Sequence, residues 1–187
     1  MTQLVKMKIC IIGDFATGKT SLIRRYVDNL FARDYRPTIG SNVFIKKIEL
    51  SLDDESYLVS LNIFEVAGQD RWETMRKTYY SGSQGLIFVG DLSRKRTFYQ
   101  IQDFWYKDAR EYVSETIPTL LIANKCDLQE DISNNDIQQI SNRINAFSFL
   151  KTSAKENIQI DKAFFKLVET VLKASVNMKV SSTIITN

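Results

Sequence analysis

The chain has little cysteine and no long apolar run, and both shortages narrow the kind of protein it encodes. Its 187 residues include only 2 cysteines, Cys10 and Cys126, without CxxC spacing. This usage favours a reducing intracellular compartment and a core that needs no disulfide. No apolar run approaches the roughly 20 residues of a membrane span, and the N-terminus lacks a signal-peptide pattern. We therefore expect a cytoplasmic protein.

A strong excess of one charge is also lacking. The 25 Lys and Arg residues against 22 Asp and Glu residues leave a net charge of +3, and the basic residues are dispersed along the chain. This pattern argues against a nucleic-acid-binding protein. With 44% hydrophobic residues and no internal repeat or linker, the sequence predicts one domain over residues 1–176 and a flexible tail over residues 177–187.

Apolar residues alternate between the periods of strands and of helices. Short apolar runs predict strands at 7–12, 43–52, 57–64, 85–90, 118–123 and 147–150. Helical spacing predicts helices at about 19–29, 98–113 and 132–144 and a closing helix from Ile160. Residues 30–40 lack either period and are predicted to be a loop, and 68–80 a polar connection. The alternation predicts an α/β fold with a mostly parallel six-stranded sheet, helices on both faces, and one antiparallel edge strand formed by a hairpin around 53–56.

The segment from Gly13 to Thr20 has the pattern G-x-x-x-x-G-K-T between a predicted strand and a predicted helix. In that context the pattern is typical of a phosphate-binding loop, because glycine at each end lets several backbone N–H groups point at one spot. The start of the helix adds partial positive charge there. Lys19 would supply a point charge to the outer phosphates, and the Thr20 hydroxyl is a hard oxygen suited to Mg²⁺. A glycine-bounded structural turn is the alternative.

A second polar segment, Asn124-Lys125-Cys126-Asp127, directly follows the strand predicted at 118–123. The Asp127 carboxylate can accept two hydrogen bonds side by side, which matches the adjacent ring N–H and amino donors of guanine. Asn124 can brace neighbouring loops, and the alkyl stem of Lys125 can cover one face of a base. Residues 152–155 follow the last strand and could present a backbone N–H to the guanine carbonyl. By itself, the segment Asn124–Asp127 could equally be a polar turn, and the signal of residues 152–155 is weak.

Five segments occur together in a set order and spacing: Gly13–Thr20, Pro37–Gly40, Ala67–Gln69, Asn124–Asp127 and Ser153–Lys155. In this the chain resembles the Ras superfamily of small GTPases. Within that superfamily it is most similar to the Rab branch, on the segments Thr38–Gly40, Ala67–Arg71 and Tyr79–Gly82. The resemblance extends from about Lys6 to Lys173. It implies the P-loop NTPase fold of the small G domain, binding of GTP or GDP with Mg²⁺, and hydrolysis of GTP.

The resemblance also implies roles for single residues. Gln69 matches the glutamine that orients the attacking water, Thr38 matches the threonine that ligates Mg²⁺ in the GTP form, and Gly68 would offer its N–H to the outer phosphate. Loops at about 31–40 and 68–80 should therefore be the switches that loosen when that phosphate leaves. The expected nucleotide contacts are Ala16, Thr17, Gly18, Lys19, Thr20, Ser21, Phe31, Tyr35, Thr38, Gly68, Asn124, Lys125, Asp127, Ser153, Ala154 and Lys155. Phe31 would pack edgewise on the base and Tyr35 would close over the phosphates. The expected metal residues are Thr20, Thr38 and Glu65.

Glu65 departs from the family pattern, which has an aspartate that holds Mg²⁺ through water. Glutamate keeps the charge but adds one methylene, and Mg²⁺ demands near-ideal octahedral geometry. We therefore hypothesise that Glu65 binds the metal directly or that its loop shifts.

Phe15 is a second departure, since family members carry a small residue at this position beside the outer phosphate. A phenyl ring would crowd the space where the glutamine and the arginine finger of an activator must meet. The sequence therefore predicts slow intrinsic hydrolysis and a poor response to an ordinary activator. A ring that swings outward onto a switch loop is an equal alternative.

A third departure concerns anchoring and partners. Rab proteins usually end in prenylated cysteines, whereas the tail here has none and no glycine follows Met1. The expectation is therefore membrane contact only through a protein partner. Val43, Phe64 and Tyr79 stand where Rab proteins present Phe, Trp and an aromatic residue to effectors, so known effectors should not be assumed to bind. An exchange factor, an activator and effectors are expected at the switches of a monomer.

Two functions follow from these residues. The favoured one is a GTP-hydrolysing molecular switch that uses Mg²⁺ and Gln69. The alternative is a guanine-nucleotide-binding interaction module with negligible hydrolysis, suggested by Phe15 and Glu65 together. A P-loop kinase or ATPase is less favoured, because Asn124 to Asp127 points to guanine.

Overall fold

In the part of the chain that the structure describes, six strands form one central sheet. The computed structural model describes residues 2–32, 41–67 and 73–185. The strands are β1 (Thr2–Ile12), β2 (Ser41–Leu52), β3 (Glu55–Val66), β4 (Gly85–Asp91), β5 (Thr119–Asn124) and β6 (Ser148–Thr152). They lie in the order β2-β3-β1-β4-β5-β6, and only the pairing of β2 with β3 is antiparallel. The predicted mostly parallel sheet with one antiparallel edge strand is confirmed.

Strands β4 and β5 each lie between two parallel neighbours and are covered on both faces. Every residue of β4 and of β5 is buried. Strands buried on both faces have nearly continuous apolar sequences, which is why their positions could be predicted closely.

The hairpin between β2 and β3 turns on two residues rather than four. Asp53 and Asp54 have φ values of 49° and 63°, the left-handed conformation that tight two-residue hairpin turns require and that Asp tolerates. Leu52 already pairs with Glu55. The predicted turn at 53–56 is therefore correct in place and too long by two residues.

Helices cover both faces of the sheet, as predicted. They are α1 (Lys19–Asp28), α2 (Glu73–Tyr80), α3 (Arg96–Gln100), α4 (Tyr106–Arg110), α5 (Asn134–Arg143) and α6 (Ile160–Ile185), with a π-helical turn, Ile101–Trp105, joining α3 to α4. On one face, α1 and α6 pack against Ile9 and Ile11 of β1. The two helices also contact each other, because the rings of Tyr26 in α1 and Phe164 in α6 stack with centroids 4.0 Å apart. On the other face, Cys10 and Ile12 meet α3, α4 and α5.

Helix α2 replaces the last part of the polar connection predicted at 68–80. Its buried face includes Arg76, which is 1% exposed, forms an ion pair with Asp108 at 3.0 Å and lies over the rings of Phe104 and Trp105. Arg76 thus takes a buried position that an apolar residue usually holds. Because of this arginine, the spacing of apolar residues does not predict a helix here.

Helix α6 extends along the backbone to Ile185, beyond the apolar face that predicts it. The residues of that face, from Ile160 to Val171, are buried as expected. A helical backbone conformation says nothing about motion. The flexible tail at 177–187 therefore stays a prediction. Among the described helices, none is both long and apolar enough to cross a membrane.

A close contact between Gly90 of β4 and Phe98 of α3 gives a testable prediction. A Cβ atom at position 90 would lie 2.6 Å from two ring atoms of Phe98. Gly90→Ala should therefore lower the free energy of unfolding in urea by about 1–3 kcal/mol, the usual range for overpacking a core. Adding Phe98→Leu, which removes the ring edge, should recover part of that loss. If Gly90→Ala alone is as stable as the wild type, the contact is looser than described.

Candidate functional site

The loops that carry the predicted site residues meet at one edge of the sheet. Strands β1, β4, β5 and β6 run parallel, so the segments that follow Ile12, Asp91, Asn124 and Thr152 leave the sheet at the same edge. Ligands of open α/β sheets bind in the crevice outside the carboxyl ends of the strands. The site described below lies in that crevice.

Two glycines fix the path of the phosphate-binding loop, which we define as residues 13–18. Gly13 has φ +149° and Gly18 has φ +95°. A Cβ atom would lie 2.4 Å from the carbonyl oxygen of Val89 at the first position and 2.4 Å from Nδ2 of Asn124 at the second. Only glycine fits at either end, so the loop curls tightly between β1 and α1.

Lys19, the first residue of α1, folds back across the loop. Its Nζ donates to the carbonyl oxygens of Gly13 at 2.7 Å and Asp14 at 2.9 Å, and its side chain is buried. Burial lowers the pKa of Lys19 to about 8, although the nearby Glu65 and Asp14 oppose that shift. The ammonium thus sits in the loop, poorly solvated, where an anion would stabilise it.

Side chains from the end of β5 hold two loop carbonyls. Asn124 Nδ2 donates to the carbonyl oxygen of Thr17 at 2.9 Å, and Lys125 Nζ donates to that of Ala16 at 2.9 Å. Asn124 also accepts from the Thr152 hydroxyl at 3.1 Å, which ties in the loop after β6. In a planar trans peptide the C=O and the next N–H point in opposite directions. The N–H groups of Thr17 and Gly18 therefore point away from these side chains.

A buried carboxylate at the end of β4 joins the same network. Asp91 is 0% exposed, and its Oδ2 lies 2.7 Å from Lys125 Nζ and 2.8 Å from Arg94 Nε. The backbone N–H and the hydroxyl of Ser93 donate to its Oδ1. Burial alone would raise the pKa of Asp91, but the hydrogen bonds from Lys125, Ser93 and Arg94 hold that pKa below its ordinary value.

The segment predicted to recognise a base brings a carboxylate and a hydroxyl together. Ser153 Oγ donates to Asp127 Oδ1 at 2.5 Å, and Lys155 Nζ lies 3.9 Å from Oδ2. Ala154 is buried, and its carbonyl accepts from Arg25 Nε of α1 at 3.0 Å. Asp127 is therefore oriented from one side and keeps its remaining acceptor capacity for a ligand.

Glu65 lies against Thr20 at the start of α1. The Thr20 hydroxyl donates to Glu65 Oε1, and Asn42 Nδ2 donates to Oε2 at 2.9 Å. Asn42 is placed for this contact because it pairs directly with Glu65 across β2 and β3. Glu65 is 1% exposed. A carboxylate and a hydroxyl in contact are the hard oxygen donors that Mg²⁺ prefers.

Mg²⁺ in such sites commonly takes one or two protein oxygens and completes its shell with water and phosphate. Residues 2–32, 41–67 and 73–185 hold no cluster of three or more His, Cys, Asp or Glu side chains that could bind a metal alone. The donors at Thr20 and Glu65 therefore fit a metal that arrives with a phosphate-bearing ligand.

Four predicted residues, Tyr35, Thr38, Gly68 and Gln69, lie outside the described residues. Ser21 follows Thr20 in α1. Phe31 is partly buried against the core, and the guanidinium carbon of Arg25 lies 6.0 Å from its ring centre. The Phe15 side chain is 40% exposed.

The three residues at the expected effector surface are neighbours. Val43 pairs with Phe64 across β2 and β3, and the rings of Phe64 and Tyr79 lie 6.5 Å apart. Val43 is 51% exposed. Lys8 Nζ lies 4.3 Å from the centre of the Phe64 ring, so a cation borders this apolar patch.

Four residues that build the site were not predicted from the sequence: Arg25, Asn42, Asp91 and Arg94. The signal for Asp91 was present, because it is a carboxylate that directly ends an otherwise apolar strand. Asn42 and Arg25 gave no local signal, since their partners Glu65 and Ala154 lie 23 and 129 residues away.

Comparisons with known proteins place these features in a family. A sequence profile of the Ras family matches residues 8–173. The chain is 35% identical to the Ras-related protein Rab-1 of Theileria parva, over 84% of this chain and 70% of that protein. It is 34% identical to the Ras-related protein Rab-12 of Mus musculus, over 90% and 68% of the two chains. It is 36% identical to the Ras-related protein Rab-32A of Dictyostelium discoideum, over 95% and 84%.

Proposed function

The chain belongs to the Ras family of small GTPases, in its Rab branch, and we propose that it binds GTP and GDP with Mg²⁺ and hydrolyses GTP slowly as a molecular switch. The observation that carries the proposal is the loop of residues 13–18. Two of its carbonyls are held by Asn124 and Lys125, and Lys19 lies across it. Backbone N–H groups that converge beside a buried ammonium and a helix start suit a polyphosphate.

Guanine selection rests on Asp127. Ser153 donates to one oxygen of its carboxylate, and each oxygen keeps a further lone pair, so the two oxygens can accept side by side from the ring N–H and the amino group of guanine. Adenine offers no such pair of donors. A buried acceptor left unpaired by the wrong base costs about 1–3 kcal/mol, and more when it is charged. Phe31, Lys125 and the Ala154 backbone would complete the base site.

The metal would be held by Thr20 and Glu65 from the described residues, and by Thr38. When bound, Mg²⁺ neutralises charge on the phosphates. Because the Thr20 hydroxyl and the Glu65 carboxylate are in contact, both would lie beside a metal bound at Thr20, and Glu65 would either bind it directly or shift its loop. Asn42 would keep the Glu65 carboxylate turned toward Thr20.

Hydrolysis would depend on Gln69, which would hold the attacking water, and on the charges that Lys19 presents to the transferring phosphoryl group. Gly68 and Thr38 would contact the outer phosphate and release their loops when it leaves. Tyr35 would close over the phosphates. Phe15, in the phosphate-binding loop, would crowd the place where Gln69 must act, so turnover would be slow.

An exchange factor, a GTPase activator and effectors would act through these loops on a monomeric protein. The free thiols of Cys10 and Cys126 suit the reducing cytoplasm. The patch of Val43, Phe64 and Tyr79 would select effectors, and its exposed valine favours effectors different from those that require a phenylalanine there.

The second candidate is a guanine-nucleotide-binding interaction module with negligible hydrolysis. The bulky side chain of Phe15 in the phosphate-binding loop favours it, because that position lies beside the reacting phosphate in the family. Both candidates share the nucleotide site and differ only in whether the bond to the outer phosphate is cleaved.

Single-turnover hydrolysis separates the two functions. Purified protein loaded with GTP should form GDP slowly, and Gln69→Leu should abolish that conversion. Phe15→Gly should raise the rate by about tenfold or more, because small displacements near reacting atoms cost that much. An unchanged rate in Phe15→Gly would refute the steric explanation. No conversion by either the wild type or Phe15→Gly would support the interaction module.

The pKa of Lys19 predicts a pH dependence of nucleotide binding. Burial lowers that pKa to about 8, so the amine of the free protein loses its charge above this pH. A bound phosphate favours the charged form of the Lys19 amine, so nucleotide binding at higher pH requires that this amine take up a proton. The affinity for GDP should be constant from about pH 6.5 to about pH 7.5 and then fall by up to about tenfold per pH unit toward pH 9. Calorimetric titrations across this range test the prediction, and a flat profile to pH 9 would contradict it.

Replacing Glu65 tests the metal site. Glu65→Gln keeps the size and loses the charge, so the Mg²⁺ concentration needed to slow release of fluorescent GDP should rise by about tenfold or more. Glu49→Gln is the matched control, because this exposed glutamate lies on the neighbouring strand β2 and should leave the Mg²⁺ dependence unchanged. Equal Mg²⁺ dependence in wild type and Glu65→Gln would remove Glu65 from the site. A crystal structure with water between Glu65 and the metal would rule out direct ligation.

A further inference from the structure

A third carbonyl of the phosphate-binding loop is held by a residue outside every motif in the sequence. Arg94 Nη2 donates to the carbonyl oxygen of Phe15 at 2.9 Å. Together with the bonds from Lys125 to Ala16 and from Asn124 to Thr17, this fixes three successive carbonyls of the loop. Each of the three donors comes from the end of a neighbouring strand or from the turn that follows it.

The turn after β4 places Arg94 for this contact. Its backbone N–H donates to the Asp91 carbonyl at 2.9 Å, and Thr97 Oγ1 accepts from the Asp91 N–H at 2.8 Å, which closes the turn. The Nε of Arg94 donates to the buried Asp91 carboxylate at 2.8 Å. Because the guanidinium is planar and rigid, fixing Nε on Asp91 also aims Nη2 at Phe15.

The contact acts on the peptide between Phe15 and Ala16. When the Phe15 carbonyl points to Arg94, the N–H of Ala16 must point the opposite way, because the two belong to one planar trans peptide. Ala16 has φ 56°, a conformation that is unfavourable for a residue with a side chain. A loop strained at this position needs an outside contact to keep the peptide from turning over.

We propose that Arg94 is a positioning residue of the nucleotide site, which holds the Ala16 N–H in its phosphate-binding direction and so slows nucleotide release. This rests on the proposed function, since it needs a polyphosphate in the loop. Asp91 makes the arrangement a unit, because the same carboxylate oxygen accepts from Arg94 and from Lys125. The loop that reads the base and the loop that binds the phosphates are thereby joined through one buried charge.

The solvent exposure of the Arg94 side chain limits how much this residue can slow nucleotide release. Hydrogen bonds that involve a charged group stabilise more than neutral ones, but 41% of the Arg94 side chain is exposed, and water weakens such contacts. We expect the nucleotide to be released about tenfold faster without Arg94 and nucleotide binding itself to persist.

The test compares release of fluorescent GDP in saturating Mg²⁺ from four proteins: wild type, Arg94→Ala, Arg94→Lys and Arg96→Ala. Arg94→Ala should release GDP about tenfold faster than the wild type. Arg94→Lys should behave like Arg94→Ala, because one ammonium cannot reproduce the fork that spans Asp91 and Phe15. Arg96→Ala is the matched control for charge, since Arg96 is exposed two residues further on, and its release rate should equal that of the wild type.

A second measurement separates positioning from general damage to the fold. The ratio of affinities for GDP and inosine diphosphate reports on Asp127, since the inosine base lacks the amino group. Arg94→Ala should weaken both affinities equally and leave the ratio unchanged, because Arg94 acts on the phosphate side. A collapse of the ratio would mean that the whole site is distorted and would overturn the assignment.

The remaining outcomes are distinct from one another. If the wild type retains GDP and Arg94→Ala releases it at the same rate, the inference about Arg94 is wrong while the proposed function stands. If Arg94→Lys matches the wild type, charge alone matters and the carbonyl contact does not. If the wild type fails to bind GDP at all, the proposed function itself is wrong and Arg94 has no nucleotide to hold.

Discussion

The site depends on the direction of a few peptide planes in the phosphate-binding loop. A loop that binds an anion must turn its N–H groups inward, and each inward N–H leaves the preceding carbonyl pointing outward, where it needs a donor. Here Arg94, Lys125 and Asn124 supply those donors to Phe15, Ala16 and Thr17. The outer partners of the loop are therefore as necessary as its own residues.

The parallel sheet explains how donors that are distant in sequence reach one loop. Strands β1, β4 and β5 are neighbours, so the residues that end β4 and β5 lie beside the loop that begins after β1. Asp91 and Asn124 are paired across β4 and β5. The buried Asp91 carboxylate lies between the cations of Arg94 and Lys125 and so links the segment after β5, which we propose binds the base, to the loop of residues 13–18.

The sequence predicts the strands and the main loops well, because apolar runs and glycine positions report on burial and backbone conformation locally. It fails where a polar residue does the work of an apolar one, as Arg76 does in α2. It also fails where a contact depends on tertiary placement, as with Arg94 on Phe15, 79 residues apart. The roles of Thr38 and Gln69 rest on family resemblance, since both lie outside the described residues.

Whether these loops together bind a guanine nucleotide with its phosphates can be measured by calorimetric titration of the purified protein with GDP and with ADP in Mg²⁺. GDP should bind tightly and ADP should give no measurable heat at the same concentrations, because only guanine pairs with Asp127. Equal binding of the two nucleotides would contradict the base site. Failure of both to bind would contradict the phosphate-binding loop as well.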